Sequence, residues 1–208
     1  MTPYEQISGQ IGIVNVLVYV VSIVFLIAYG IFFSKKKPSL KKMIVIGLFS
    51  AIAFVLSFIK FVPFPQGGSI NLLPMLPILL IGVLYGTVEG ITCGLIYGVL
   101  TLIMGGHIIG IAEALMDYIL SSVVLGLAGV FGRDNKIKIL AGSILAVVLN
   151  LAAVIISGVY FYGMYAPPHM NLWYYSIIYN LSSSGVVGVL SIIVLMILPI
   201  KKLQRQVK

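Results

Sequence analysis

Apolar residues run along this chain in long unbroken blocks, and the blocks are separated by clusters of lysine, glycine or proline. Reading between those breaks predicts helical spans at about 11–33, 43–62, 72–86, 90–104, 111–131, 139–163 and 173–199. Most of these blocks reach the roughly 20 residues that a helix needs to cross a bilayer. The third and fourth are shorter, about 15 residues each, which predicts tilted or re-entrant helices or a locally thin region. The pattern describes an all-α integral membrane protein, a single bundle of seven spans. No sequence repeat divides the chain into halves, so an inverted-repeat carrier is not indicated.

Composition agrees: 61% of the 208 residues are apolar and 9% are charged, against about 25% charged in soluble domains. The net charge of +8 would suit a nucleic-acid partner if it were gathered on one surface patch, but it is distributed by loop. Lys35, Lys36, Lys37, Lys41 and Lys42 follow the first span, Arg133, Lys136 and Lys138 the fifth, and Lys201, Lys202, Arg205 and Lys208 the last. Twelve of the 13 basic residues therefore lie on one side, with only Lys60 toward the other. By the positive-inside rule the amino terminus is outside and the carboxyl terminus cytoplasmic. Span 1 follows Glu5 without a cleavage pattern, so it is expected to be a retained helix. Cys93 has no second cysteine to pair with and is expected to be a small buried side chain.

Small residues are patterned. Gly82, Gly86, Gly90, Gly94 and Gly98 recur every four residues, a spacing that lets helix backbones approach closely in lipid, and Glu89-Gly90 is read as the cytoplasmic turn between spans 3 and 4. A second small pair, Gly47 and Ala51, is placed to face a sister helix or a partner protein.

With topology assigned, the unusual polar residues gather toward the outer end. Asp117 lies roughly 10 Å from the outer end of span 5 at 1.5 Å per residue. An acid at that depth needs a partner or a cavity, and no basic residue shares its level. Two readings remain open: Asp117 offsets the charge of a ligand cation, or it is a neutral core carboxyl bonded to a tyrosine hydroxyl. Tyr160, Tyr162, Trp173, Tyr174, Tyr175 and Tyr179 cluster at the same level, and tyrosine faces attract cations and stack flat heterocycles. Trp173, Tyr174 and Tyr160 are equally expected as interfacial belt residues. Asn180 both donates and accepts, as recognition of an aminopyrimidine edge requires. Glu113 is expected to be a solvated rim residue, Asn150 a helix-packing hydrogen bond, and His107 and His169 are loop histidines too far apart in sequence to suggest a metal site. The segments 61–69 and 164–171 are read as outer loops able to fold over the cluster.

The stretches "PQGGSINLLPMLPILLIGVLYGTVEGITCGLIYGVL", "ALMDYILSSVVLGLAGVFGR", "ISGVYFYGMYAP" and "WYYSIIYN", in that order, resemble the thiamine-specific substrate-binding (S) components of energy-coupling factor (ECF) transporters. The resemblance covers about residues 43–200. It implies a six-helix bundle in the bacterial cell membrane that captures a vitamin at its outer face and docks onto one membrane scaffold subunit and two ATPase subunits. The chain has no G-x-x-x-x-G-K-[ST] loop, so ATP would be used only by those partners. No cofactor of its own is implied. Position by position, the resemblance implies that Asp117, Tyr118, Tyr162, Tyr175 and Asn180 bind the ligand and that Gly47 and Ala51 dock the scaffold subunit. Two departures stand out: Val154 occupies the usual histidine position four before Gly158, and span 1 at 11–33 precedes the 43–200 domain as an extra helix. Val154 keeps open a related ligand such as hydroxymethylpyrimidine or another small heterocycle. Outside this class, Glu113 and Asp117 could form the acid pair of an intramembrane lipid-modifying enzyme, although no His or Cys accompanies them in the membrane. A carrier working alone would need no ATPase.

Overall fold

The computed structural model describes residues 9–104 and 108–206; His107, Glu5 and Lys208 lie outside the described residues. Helix α1 spans Ile11–Lys35 and α2 spans Leu40–Phe58. A two-stranded antiparallel hairpin follows, β1 (Lys60–Pro63) and β2 (Ser69–Asn71). Two short helices come next, α3 (Met75–Leu84) and α4 (Thr87–Ile103). The long helices α5 (Ile111–Gly129), α6 (Lys136–Tyr160) and α7 (Leu172–Ile197) complete the bundle, and α8 (Ile200–Gln206) caps it. Seven apolar helices thus stand where seven were expected. The hairpin is a correction, since residues 61–69 were read as irregular loop; Pro63 and Pro65 keep it short by denying ladder donors.

Helix α3 explains its own shortness. Ten residues span about 15 Å, half of a hydrocarbon core about 30 Å thick, and eight of them are buried. Like the lipid-facing α1 it is apolar all round, and what sets α3 apart is that the surrounding helices bury it. Ile78, Leu79 and Ile81 are completely buried and form the centre of a cluster with Ile46, Cys93, Leu125, Ala146 and Leu195 from the surrounding helices. Cys93 is the small buried residue expected, and accepts a contact from the Ser50 hydroxyl.

The turn between α3 and α4 falls at Tyr85-Gly86, four residues earlier than the Glu89-Gly90 break that charge suggested. Glu89 instead lies in the first turn of α4, where a negative charge complements the helix dipole, and pairs with Lys42 at 3.0 Å. The last carbonyls of α3 are taken by Arg133, which donates to Leu84 O at 2.8 Å, and Gln204, which donates to Val83 O at 3.2 Å and Arg133 O at 2.9 Å. The basic loops after α2's neighbour α1, after α5 and after α7 therefore converge on one end of the bundle, as the charge distribution requires.

The glycine run serves α5. A Cβ on Gly90 would stand 2.6 Å from Gly126 O and 2.9 Å from Gly126 Cα, and one on Gly82 would stand 2.7 Å from the same oxygen. On the other side of the contact, a Cβ on Gly126 would collide with the backbone of Gly90 and Ile91. Gly94 and Gly98 continue the contact along Ser122 and Tyr118. Backbone meets backbone along almost the whole of α4, which fixes the rotation and depth of α5.

Helix α1 is held at two places and otherwise faces lipid. Val18 packs with Ala112, Met116 and Phe161, and the Tyr29 and Thr92 hydroxyls share a hydrogen bond of 2.8 Å. Near its inner end Phe25, Tyr29 and Phe33 stack along one face, with centroids 6.0 and 5.6 Å apart.

Gly126→Ala is expected to lower the thermal unfolding midpoint of the detergent-purified protein, costing about 1–3 kcal/mol or more because backbone must move. Gly30→Ala, on open lipid-facing α1 with nothing within 4 Å, should leave it unchanged. Thermal melts followed by size-exclusion chromatography compare the two.

Candidate functional site

A cavity of about 500 Å³ occupies the outer half of the bundle, above the N-terminal end of α3 and beneath the β1–β2 hairpin. Its size falls within the roughly 300–1,000 Å³ of small-molecule sites. Pro74 and Met75 form its floor, so the cavity takes the space that a full-length α3 would fill.

Helix α5 enters this space irregularly. Residues Leu115–Leu120 form a π-helical turn, and Val124–Gly129 tighten to a 3-10 turn. Such turns shift side chains off the regular helical stripe and free backbone carbonyls, and π turns recur at functional sites. In lipid the freed groups must be satisfied internally. The Ser121 hydroxyl donates to Asp117 O, and the Asn150 amide donates to Ser121 O at 2.8 Å. A second π turn, Leu181–Gly185, follows Asn180 on α7. Both irregular turns contribute to the lining of the cavity, the first through Asp117 and Tyr118 and the second through Ser183 and Ser184.

All five residues expected to bind a ligand line this one cavity: Asp117 and Tyr118 from the first π turn, Tyr162 beyond α6, and Tyr175 and Asn180 from α7. Asp117 Oδ1 is buried with no hydrogen-bond partner among the described residues, as are Asn150 Oδ1 and Asn71 Oδ1, two further groups on the lining. All three oxygens are shut off from the open cavity space, so a donor or cation in the cavity would reach them only as the wall adjusts around it. Asn180 is held by its amide nitrogen, which donates to Ser176 O at 2.9 Å and Val154 O at 3.3 Å, so its orientation at the wall is set from behind. Val154 itself presents an apolar side to the cavity. Lys60, at the exposed end near the hairpin, is the basic residue among the lining.

The mouth is covered by the hairpin, and Tyr179 holds it there. The Tyr179 hydroxyl accepts from Gly68 N at 2.9 Å and donates to Pro65 O, while its ring meets Phe64 edge-on at 5.8 Å. A Cβ on Gly68 would lie 2.8 Å from Tyr179 Cζ, so a larger residue there would push the tyrosine ring away from the hairpin. Tyr175 and Tyr179 lie 6.0 Å apart, one helical turn apart on the same face. The sequence placed Tyr179 on that face but gave no sign of its partner 111 residues away.

Glu113 corrects an expectation. It was read as a solvated rim residue, yet it is fully buried. Its carboxyl accepts from the Tyr162 hydroxyl at 2.8 Å and from Ile109 N at 3.1 Å. The reason is the neighbourhood: Tyr162 and the 108–110 segment fold back over the outer end of α5. Glu113 does not line the cavity while Asp117 does, so the two acids are not arranged around a common substrate as an acid pair would be. Asn150 makes the packing hydrogen bond expected of it and also borders the cavity. Trp173 and Tyr174 are exposed toward the outer interface, as belt residues are. Gly47 and Ala51 lie on the face of α2 whose large residues, Ile44, Leu48 and Val55 among them, are more than half exposed at 64%, 57% and 58%.

An outward cavity closed below by a packed core, in a bundle of membrane helices, defines a membrane-embedded small-molecule binding protein. The chain belongs to the thiamine transporter protein family (Thia_YuaJ), which residues 43–207 match. It is 31% identical over 163 residues to the thiamine transporter ThiT of Bacillus subtilis, covering 70% of this chain and 83% of that one. It is 28% identical over 176 residues to ThiT of Lacticaseibacillus paracasei, covering 76% and 88%. The fold matches a solved structure of ThiT from Listeria monocytogenes with a TM-score of 0.71 at 26% identity, over 79% of this chain and 97% of that one. This is a family of multi-pass bacterial membrane transporters, not of enzymes. The match begins at residue 43 and leaves α1 outside it.

Replacing Tyr179 by Phe removes both hydrogen bonds to the hairpin. Amide exchange at Gly68 should accelerate about fivefold, equivalent to one net hydrogen bond of about 1 kcal/mol, while α3 stays protected. Hydrogen–deuterium exchange mass spectrometry measures both segments at once.

Proposed function

We propose that the protein captures thiamine in its outer cavity and delivers it as the S component of an ATP-driven ECF transporter. The observation that carries the reading is Asp117: a half-buried carboxyl on the cavity wall, its Oδ1 buried without a partner among the described residues, in a chain of the thiamine transporter family. In this reading Asp117 offsets the positive charge of the thiazolium, Tyr118, Tyr162 and Tyr175 frame the two rings, and Asn180 reads the aminopyrimidine edge. Tyrosine faces and a carboxylate are the groups that recognise a flat cation.

ATP would act through partners: a membrane scaffold subunit and two ATPase subunits. Gly47 and Ala51 support docking on the scaffold, because a Cβ on Gly47 would meet nothing within 4 Å and the surrounding α2 face is unpartnered. A flat small-residue patch of this kind lets another helix approach closely in lipid.

A second reading keeps the complex and changes the passenger. Val154 on the wall gives an apolar surface where a polar partner would favour the thiazolium, which supports a smaller heterocycle such as hydroxymethylpyrimidine.

Fluorescence titration of the detergent-purified protein with thiamine should show tight saturable quenching. Asp117→Asn should weaken binding by about 10- to 100-fold, on the order of 1.4–2.8 kcal/mol. Wild-type protein that ignores thiamine but binds hydroxymethylpyrimidine would sustain the second reading instead.

Gly47→Trp should leave thiamine binding intact and abolish co-purification with the scaffold subunit. Undiminished co-purification would remove α2 from the docking surface.

A further inference from the structure

Among the described residues, Glu113 is the charged side chain that the fold hides most completely, at 0% exposure, and it lies outside the cavity. A carboxyl in such a place is costly unless its oxygens are satisfied. Both are: Oε1 by the Tyr162 hydroxyl at 2.8 Å and Oε2 by the Ile109 amide at 3.1 Å. No basic residue pairs with it among the described residues, whose ion pairs are Lys42–Glu89 and Lys138–Asp134. Helix packing alone would be served as well by an apolar side chain. What distinguishes Glu113 is its partner, because Tyr162 lines the cavity.

We propose that Glu113 is a positioning residue for a ligand cation, acting through Tyr162. By accepting the phenol's hydrogen bond, it fixes the ring at the cavity wall and draws electron density from the O–H bond into the ring face. A cation over that face is then held more strongly than over an unbonded tyrosine. The groups around this corner are Asp117, Tyr118, Tyr97 and Tyr162, with Lys60 at the exposed end of the cavity. The inference rests on the reading of the cavity as a thiamine site. It adds a preference for charge, as distinct from shape, and assigns it to a residue that never touches the ligand.

The experiment compares thiamine with a neutral isostere in which the thiazolium is replaced by a thiophene ring. Both are titrated against the full-length wild type, Glu113→Gln, Tyr162→Phe and the double variant. Each single substitution should weaken thiamine binding about tenfold, and the isostere by less than about twofold. The double variant should be no weaker than Tyr162→Phe, because the two residues act in series. Equal weakening of both compounds would mean a purely structural tie and overturn the inference, as would unchanged thiamine affinity in Tyr162→Phe. Should either single variant fail to fold, the double variant decides, since it removes the hydroxyl and the carboxylate together and leaves no buried carboxylate without its donor. Wild-type protein that binds neither compound would remove the thiamine reading and this inference with it. Thiamine binding with the wrong variant pattern removes this inference only.

Discussion

The seating of α5 against α4, backbone on backbone, is the constraint on which the rest depends. In lipid, helices gain little from hiding apolar side chains from one another, so close van der Waals contact must do the work. Gly90 and Gly126 provide it where they meet, and Gly94 and Gly98 extend it along Ser122 and Tyr118. A helix held this tightly cannot rotate to relieve strain elsewhere. Its departure from α-geometry at Leu115–Leu120 is therefore kept in place, with Asp117 turned toward the cavity.

Irregular backbone inside a membrane has to be supplied with partners, and here the supply is local. The Ser121 hydroxyl and the Asn150 amide collect the carbonyls that the π turn exposes, and Ser176 and Asn180 do comparable work across the cavity. The side chains that stabilise the walls thus use their donors on backbone, which leaves Asn71 Oδ1 and Asn150 Oδ1 without donors among the described residues. That division of labour gives the cavity its chemical bias. It follows from ordinary hydrogen-bond accounting rather than from any special residue.

Much of this was legible in the chain. Block lengths gave the seven helices, because a bilayer demands long apolar runs, and the lysine clusters gave their direction. The convergence of Asp117 with the tyrosines followed from counting depth along straight helices. The same counting misjudged Glu113, since a straight helix ends in water and this one ends beneath Tyr162 and Ile109. The hairpin was hidden because Pro63, Pro65 and the glycines around them read as loop. The turn at Tyr85-Gly86 was masked by Glu89, whose charge suggested the turn itself but which stands in the first turn of α4 and meets Lys42. π turns leave no mark in the hydrophobic pattern, and the contact between Tyr179 and Gly68 joins residues too far apart for any periodicity to link.

The shortness of α3 has a consequence for how anything crosses the membrane with this protein. Half the thickness of the bundle is chamber, and the other half is solid: Ile78, Leu79 and Ile81 fill it without exposure, and Arg133 and Gln204 seal its inner end. The chamber is a cul-de-sac. A molecule that enters this chamber can leave only by the entrance, so the fold described here is a vessel and offers no passage through the bilayer.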